Sequence, residues 1–494
     1  MFGHLPLTGV AITATPNSMY GSQMELTSHS VVQLTEMLDS SEVSATEIVN
    51  SSISAIGALN PVLNAFVSTR FEAALEEAKQ IDTQRVGGQH LPILAGLPFG
   101  VKDLEDLKSE RTSKGSPLFA KSAPAEHDSV LVSRLKRHGA IAVGKTNTPE
   151  FGWRADSVNP VFGATKNPFD PERSSGGSSG GSSSAVASGM VPFATGSDGG
   201  GSIRIPSSLC GLAGFKSSGG LIPAWSYAAP NWGNLSVVGP MAKRLGDVAF
   251  LLDLVVGTDN RDLRSAPGLR GSFYQEFSAP IKPIKVAYSP TLGYAKVDSE
   301  VARTVEAAVR RLETSGVSVE LVEKVFDVDP VVDFVHLTGA GTWRTVKEFV
   351  GSPEWELMDP RFRQMVEQSA QMTLDRYLAA VDACHGFNLQ LSTLFDDYDL
   401  LITPTLASLA PLSDQFGLVD GVPQENWICF TYPFNMCQNP AVTLNVGVSS
   451  AGGLPIGMQL VAPRWQDLRL MSNASYIDKV VGVDAAPDLG SLTK

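Results

Sequence analysis

Histidine is scarce in this chain, with seven residues in 494, at positions 4, 29, 90, 127, 138, 336 and 385. They are scattered, and none belongs to an HExxH motif, a Cys/His pair at zinc spacing or an EF-hand loop, so the common metal motifs are excluded. Cysteine is scarcer still. Cys210, Cys384, Cys429 and Cys437 form no CxxC pair, which excludes a disulfide framework and leaves four buried or half-buried thiols as the expectation. Long apolar runs are missing too. The most apolar stretch, residues 248–256, is interrupted by Asp253 and is too short to span a bilayer. Residues 1–22 lack the charged and apolar regions of a signal peptide, so residues 1–25 read as a flexible leader. Basic residues are outnumbered, 38 against 51 acidic, for a net charge of −13. That balance excludes nucleic acid as a general partner and disfavours an anionic membrane surface. A soluble, acidic, cytoplasmic protein is the expectation.

What is present is globular material. Apolar residues make up 43% and charged residues 18%, which excludes disordered and fibrous classes. Length alone allows about three domains or one large α/β domain with insertions. A capping box at Ser44 and Glu47 opens an apolar-periodic helix, and residues 26–80 read as helical. Residues 94–101 read as an apolar strand, 128–138 as an amphipathic helix and 141–144 as a buried strand. This rhythm predicts a mixed, mostly parallel twisted sheet in one large domain, with helices on both faces. We divide the chain into one main domain over 26–475, with its core at 90–260, a helical insertion or cap at 270–400, a return to the sheet at 400–475, and a tail over 476–494.

Glycine, with 46 residues, is somewhat above its usual share of about 7%. One cluster, residues 174–184, has the composition of a flexible linker. Its neighbours point elsewhere, because apolar segments flank it closely, and glycines in that setting mark close backbone approach. Neither this cluster nor Gly199, Gly200 and Gly201 fits a phosphate-binding loop.

Serine chemistry fits better, in three versions. GxSxG matches occur around Ser178 and Ser179, but the residues before them form a turn rather than the buried strand that a nucleophile elbow needs. An SxxK occurs at Ser133 and Lys136 without its companion motifs. The third version uses three blocks: Gly-Val-Lys-Asp at 100–103, Gly-Gly-Ser-Ser-Gly-Gly at 176–181, and Gly-Ser-Asp-Gly-Gly-Gly-Ser-Ile-Arg-Ile-Pro at 196–206. In their order and in the step from Ser178 to Ser202 they resemble the amidase signature family, over about residues 26–475.

The resemblance implies the amidase signature fold and hydrolysis of a carbon–nitrogen amide bond through a serine acyl-enzyme, with no cofactor and no metal. It makes Ser202 the nucleophile, Ser178 the bridging serine with a cis peptide bond before it, and Lys102 the base. It makes the N–H groups of Gly199, Gly200, Gly201 and Ser202 an oxyanion hole, with Asp198 and Arg204 as a supporting ion pair. Gly199 stands where the family pattern leads us to expect threonine or isoleucine. The chemistry is coherent on its own terms. A serine needs a base to accept its proton, and a lysine becomes that base when burial lowers its pKa.

Substrate preference is less constrained. Trp153, Trp225, Tyr227 and Asn435 are the candidate substrate-binding residues, with Trp232, Phe334, Trp343, Tyr432 and Phe434 as further candidate walls. Aromatic walls favour small hydrophobic or aryl amides and anilides, as in aryl acylamidases, with carbamates (a urethanase activity) or esters as neighbouring chemistry. The partners expected are a small-molecule amide and water, with room for a homodimer. Two alternatives stand beside this reading: a glutamine-hydrolysing amidotransferase of the A-subunit type, and a non-catalytic binding module on the same scaffold.

Overall fold

The computed structural model describes residues 26–224 and 232–492; the leader expected over 1–25, together with Trp225 and Tyr227, lies outside them. Eleven strands build the sheet: β1 (Phe66–Thr69), β2 (Pro98–Lys102), β3 (Ile141–Thr146), β4 (Phe193–Asp198), β5 (Gly214–Lys216), β6 (Val237–Ala242), β7 (Lys285–Tyr288), β8 (Ser318–Leu321), β9 (Leu400–Pro404), β10 (Ala441–Val448) and β11 (Pro455–Val461). They pair as β1-β3-β2-β4-β6 and β5-β10-β11-β9-β7-β8. A bridge between Ala213 and Ala242 joins β5 to β6 and makes the two halves continuous.

The sheet is mixed, as expected, but parallel pairing does not dominate. It is confined to β3-β2-β4 and β9-β7-β8, while the middle from β4 to β9 is antiparallel. For one of these antiparallel pairs the physical reason is connection length. The short turn between β10 and β11 forces an antiparallel hairpin, whereas parallel neighbours need a helical crossover. Every residue of β2, β3, β9 and β11 is buried, so both faces of the sheet are covered. Phe99 of β2 stacks on Phe193 of β4 with centroids 5.4 Å apart, which locks the two strands that carry Lys102 and Asp198.

Several sequence boundaries move. The helical stretch 26–80 is interrupted by β1, whose backbone pairs with β3. Region 270–400 is not only a helical cap, because β7 and β8 extend the sheet from within it. Strand β8 is an exposed edge strand, so it lacks the apolar run by which a strand is recognised. The helix Asp467–Val481 runs through the expected tail boundary at 475–476, and it buries Ile477 and Val481. The serine- and glycine-rich stretch is no linker. All its residues from Ser174 to Ser184 are buried, and Gly180–Ala187 is a helix. No helix among the described residues is long and apolar enough to cross a membrane.

Candidate active site

Lys102 ends β2, where the sheet geometry points it away from water. It is fully buried, and its Nζ donates to the hydroxyls of Ser178, Ser179 and Ser197, each at 2.8 Å. No carboxylate among the described residues pairs with it. Burial brings its pKa down from 10.5 to about 7, and the charges of Glu105 and Asp198 only partly resist that fall.

Ser178 follows a cis peptide bond from Gly177. Its neighbours explain the glycines. A Cβ on Gly177 would lie 2.5 Å from the Asp156 nitrogen, and one on Gly181 would lie 2.2 Å from the Asn147 nitrogen. The backbone here is packed against backbone, which only glycine permits.

Asp198, at the end of β4, organises the loop that carries Ser202. Its carboxylate pairs with Arg204 at 2.9 Å, and both side chains are fully buried. It also accepts from the Gly201 N–H at 2.7 Å and from the Ile203 N–H at 3.3 Å. Burial would raise its pKa, but Arg204, helped by Lys216 and Asn435, outweighs that and holds it well below the usual carboxylate range. Arg204 donates in turn to the Thr431 carbonyl, Gln459 and Asn435. Thr431 closes the ring by donating to the Gly200 carbonyl at 2.6 Å. Gly201, at φ +125°, would place a Cβ 2.4 Å from the Thr431 hydroxyl.

Two sequence expectations change here. The Gly201 N–H is committed to Asp198 and so leaves the expected set of oxyanion donors. Asn435 is not a substrate contact. It is buried and donates to the Asp198 carbonyl and carboxylate and to the Leu235 carbonyl.

Ser178 and Ser202 face a common cavity of about 620 Å³, with Gly152, Gly199, Phe119, Phe151 and Trp232 among its walls. Lys114 and Glu105 also reach it. Trp153 does not. It packs on Phe362, with centroids 5.5 Å apart, in a cluster that includes Trp343. Phe334 lies behind Trp232, edge to face, and stacks on Tyr432 at 4.9 Å. Phe119 and Phe151 escaped the sequence reading, since neither lies in a motif. Phe151 sits in a turn at a positive φ of 52° and lines the cavity that Ser178 shares.

The Amidase family matches residues 47–471 of this chain. The chain belongs to the amidase signature family. It is 33% identical over 466 residues to an acylamidase of Rhodococcus erythropolis, covering 91% of this chain and 95% of that protein. It is 30% identical over 479 residues to the glutamyl-tRNA(Gln) amidotransferase A subunit of Legionella pneumophila, covering 91% and 96%. Among solved structures it is similar to a bacterial aryl acylamidase of the amidase signature family. That match has a TM-score of 0.85 at 25% identity and covers 92% of this chain and 96% of the other. An amide-hydrolysing enzyme is therefore the established class of this amidase signature protein.

Proposed function

We propose that this amidase cleaves its substrate through an acyl-enzyme on Ser202. Neutral Lys102 draws the proton of Ser178, and Ser178 takes the proton of Ser202 as its oxygen attacks the amide carbonyl. The negative oxygen that forms is held by the backbone N–H groups of Gly199, Gly200 and Ser202. The same relay returns the proton to the leaving nitrogen, the amine departs, and water repeats the attack on the acyl-serine. One observation carries the reading. A fully buried lysine touches three serine hydroxyls at 2.8 Å, and one of them, Ser178, shares a cavity with Ser202.

The substrate class we propose is small aryl or hydrophobic amides and anilides, with carbamates and esters as secondary substrates. Phe119, Phe151, Trp232, Leu104, Val130 and Val238 along the cavity support it, as does the likeness to an acylamidase. A panel of anilides, aliphatic amides, carbamates and free glutamine, read by amine or ammonia release, tests it. Aryl amides should be turned over fastest. Glutamine as the best substrate would overturn the class and favour the amidotransferase-type alternative. Ser202→Ala should retain less than ~10⁻³ of the wild-type rate; full activity in that variant would remove Ser202 from the mechanism.

A further inference from the structure

Beyond the catalytic cavity lies a second cavity, also of about 620 Å³. Trp232 and Arg344 line both. The indole therefore stands between the space that holds Ser202 and a neighbouring space that the amide chemistry does not use. The described residues lining this second space include Arg344, Arg464 and His385 and no carboxylate.

Trp232 is held in that position from two sides. Its Nε1 donates to the Thr342 hydroxyl at 3.0 Å, and its ring meets Phe334 edge to face at 6.2 Å. Phe334 and Thr342 both belong to the helix Val331–Val346. On its other side the ring occupies the place of a missing side chain. A Cβ on Gly199 would lie 2.5 and 2.9 Å from two carbons of the indole. Such contacts are closer than packed atoms tolerate, so this indole position requires glycine at 199. The departure from threonine or isoleucine thus has a counterpart 33 positions later in the chain.

We propose that Trp232 is the specificity-determining partition of this amidase. It limits substrates to what fits the first cavity, and Gly199 is the residue that admits it. Removing the indole joins the two cavities and extends the substrate range to longer amides. Because Arg464 lines the added space, the gain is greatest for chains that end in a carboxylate. The inference rests on the reading that the Ser202 cavity holds the substrate.

The test uses two homologous amide series, one lengthened on the acyl arm and one on the amine arm, each with neutral and carboxylate-terminated members. Purified wild-type, Trp232→Ala and Trp232→Phe enzymes are compared by kcat/KM. In the wild type, kcat/KM should fall with length. In Trp232→Ala the ratio of long to short substrate should rise about tenfold or more in one series, the scale of pocket discrimination between chain lengths. Trp232→Phe should give a smaller rise, and it supplies the comparison if the alanine variant does not fold. Arg464→Gln in the Trp232→Ala background should remove the preference for the carboxylate. Gly199→Ala should raise the ratio alone but add nothing to Trp232→Ala, since the clash has then gone. Ratios unchanged within twofold in both series would overturn the partition. Activity surviving in Ser202→Ala would instead overturn the site reading on which it stands.

Discussion

Two lysines are buried at the ends of the neighbouring strands β2 and β3, and their surroundings differ. Strand register sets Val101 opposite Lys145 and Lys102 opposite Thr146, so the two side chains leave opposite faces of the sheet, and both are fully buried. Lys145 meets the carboxylate of Asp103 at 3.3 Å, the carbonyl of Glu105 at 2.6 Å and the Thr112 hydroxyl at 3.0 Å. Burial lowers its pKa, but Asp103 opposes the fall directly. Lys102 meets only hydroxyls, and burial brings it to about 7. Burial alone, then, does not make a base. A carboxylate beside a buried lysine favours its charged form, whereas a lysine surrounded by hydroxyls has no such partner to oppose burial.

Removing each ammonium in turn tests the contrast between the two lysines most directly. Lys102→Met should lower kcat by about 10⁴-fold, at the upper end of what acid–base assistance supplies. It should cost no stability at pH 6. The sign follows from linkage: with a folded pKa near 7 against 10.5, the buried charge opposes folding fully below pH 7, and that opposition fades as pH rises toward 10.5. The variant should therefore melt no lower than the wild type at pH 6, with any advantage shrinking as pH rises; thermal unfolding across that range checks it. Lys145→Met should do the reverse. It strands Asp103 in the interior and should destabilise by about 3–5 kcal/mol, read by denaturant unfolding. An equal loss from both substitutions would erase the distinction.

A subtler probe is pH. Because Lys102 must be neutral to accept a proton, kcat/KM should fall about tenfold per unit as pH drops below about 7, and a profile flat to pH 5 would remove it as the base. Least affected should be Trp153→Phe. Its ring does not line the cavity but packs on Phe362, which in turn stacks on the wall residue Phe151, so kcat/KM should stay within about twofold of wild type, and a larger loss would return Trp153 to the substrate wall.

The legible parts of the site were those written in short spacings. Lys102, Ser178 and Ser202 sit in glycine-punctuated blocks whose order carries the family resemblance, and Asp198 and Arg204 lie within six positions of each other. The fold was legible where one strand or helix has a strong pattern of its own, as at β3 or the capped helix Ala45–Leu63. It was illegible at β8, where an exposed edge leaves no apolar run, and in the antiparallel centre of the sheet, where partners come from distant segments. The substrate wall was read least well. Trp153 and Asn435 were reasonable by residue type, yet one packs on Phe362, one ring back from the wall residue Phe151, and the other bonds to Asp198.

Three short blocks and the resemblance they carry were thus enough to point to the family and to amide hydrolysis. Three features came only with the folded chain: hydroxyls rather than a carboxylate surround Lys102, Asp198 takes the Gly201 N–H, and Trp232 fills the gap at Gly199. Each is a contact set by side-chain packing among chain segments brought together in three dimensions, and packing of that kind leaves no periodicity to read.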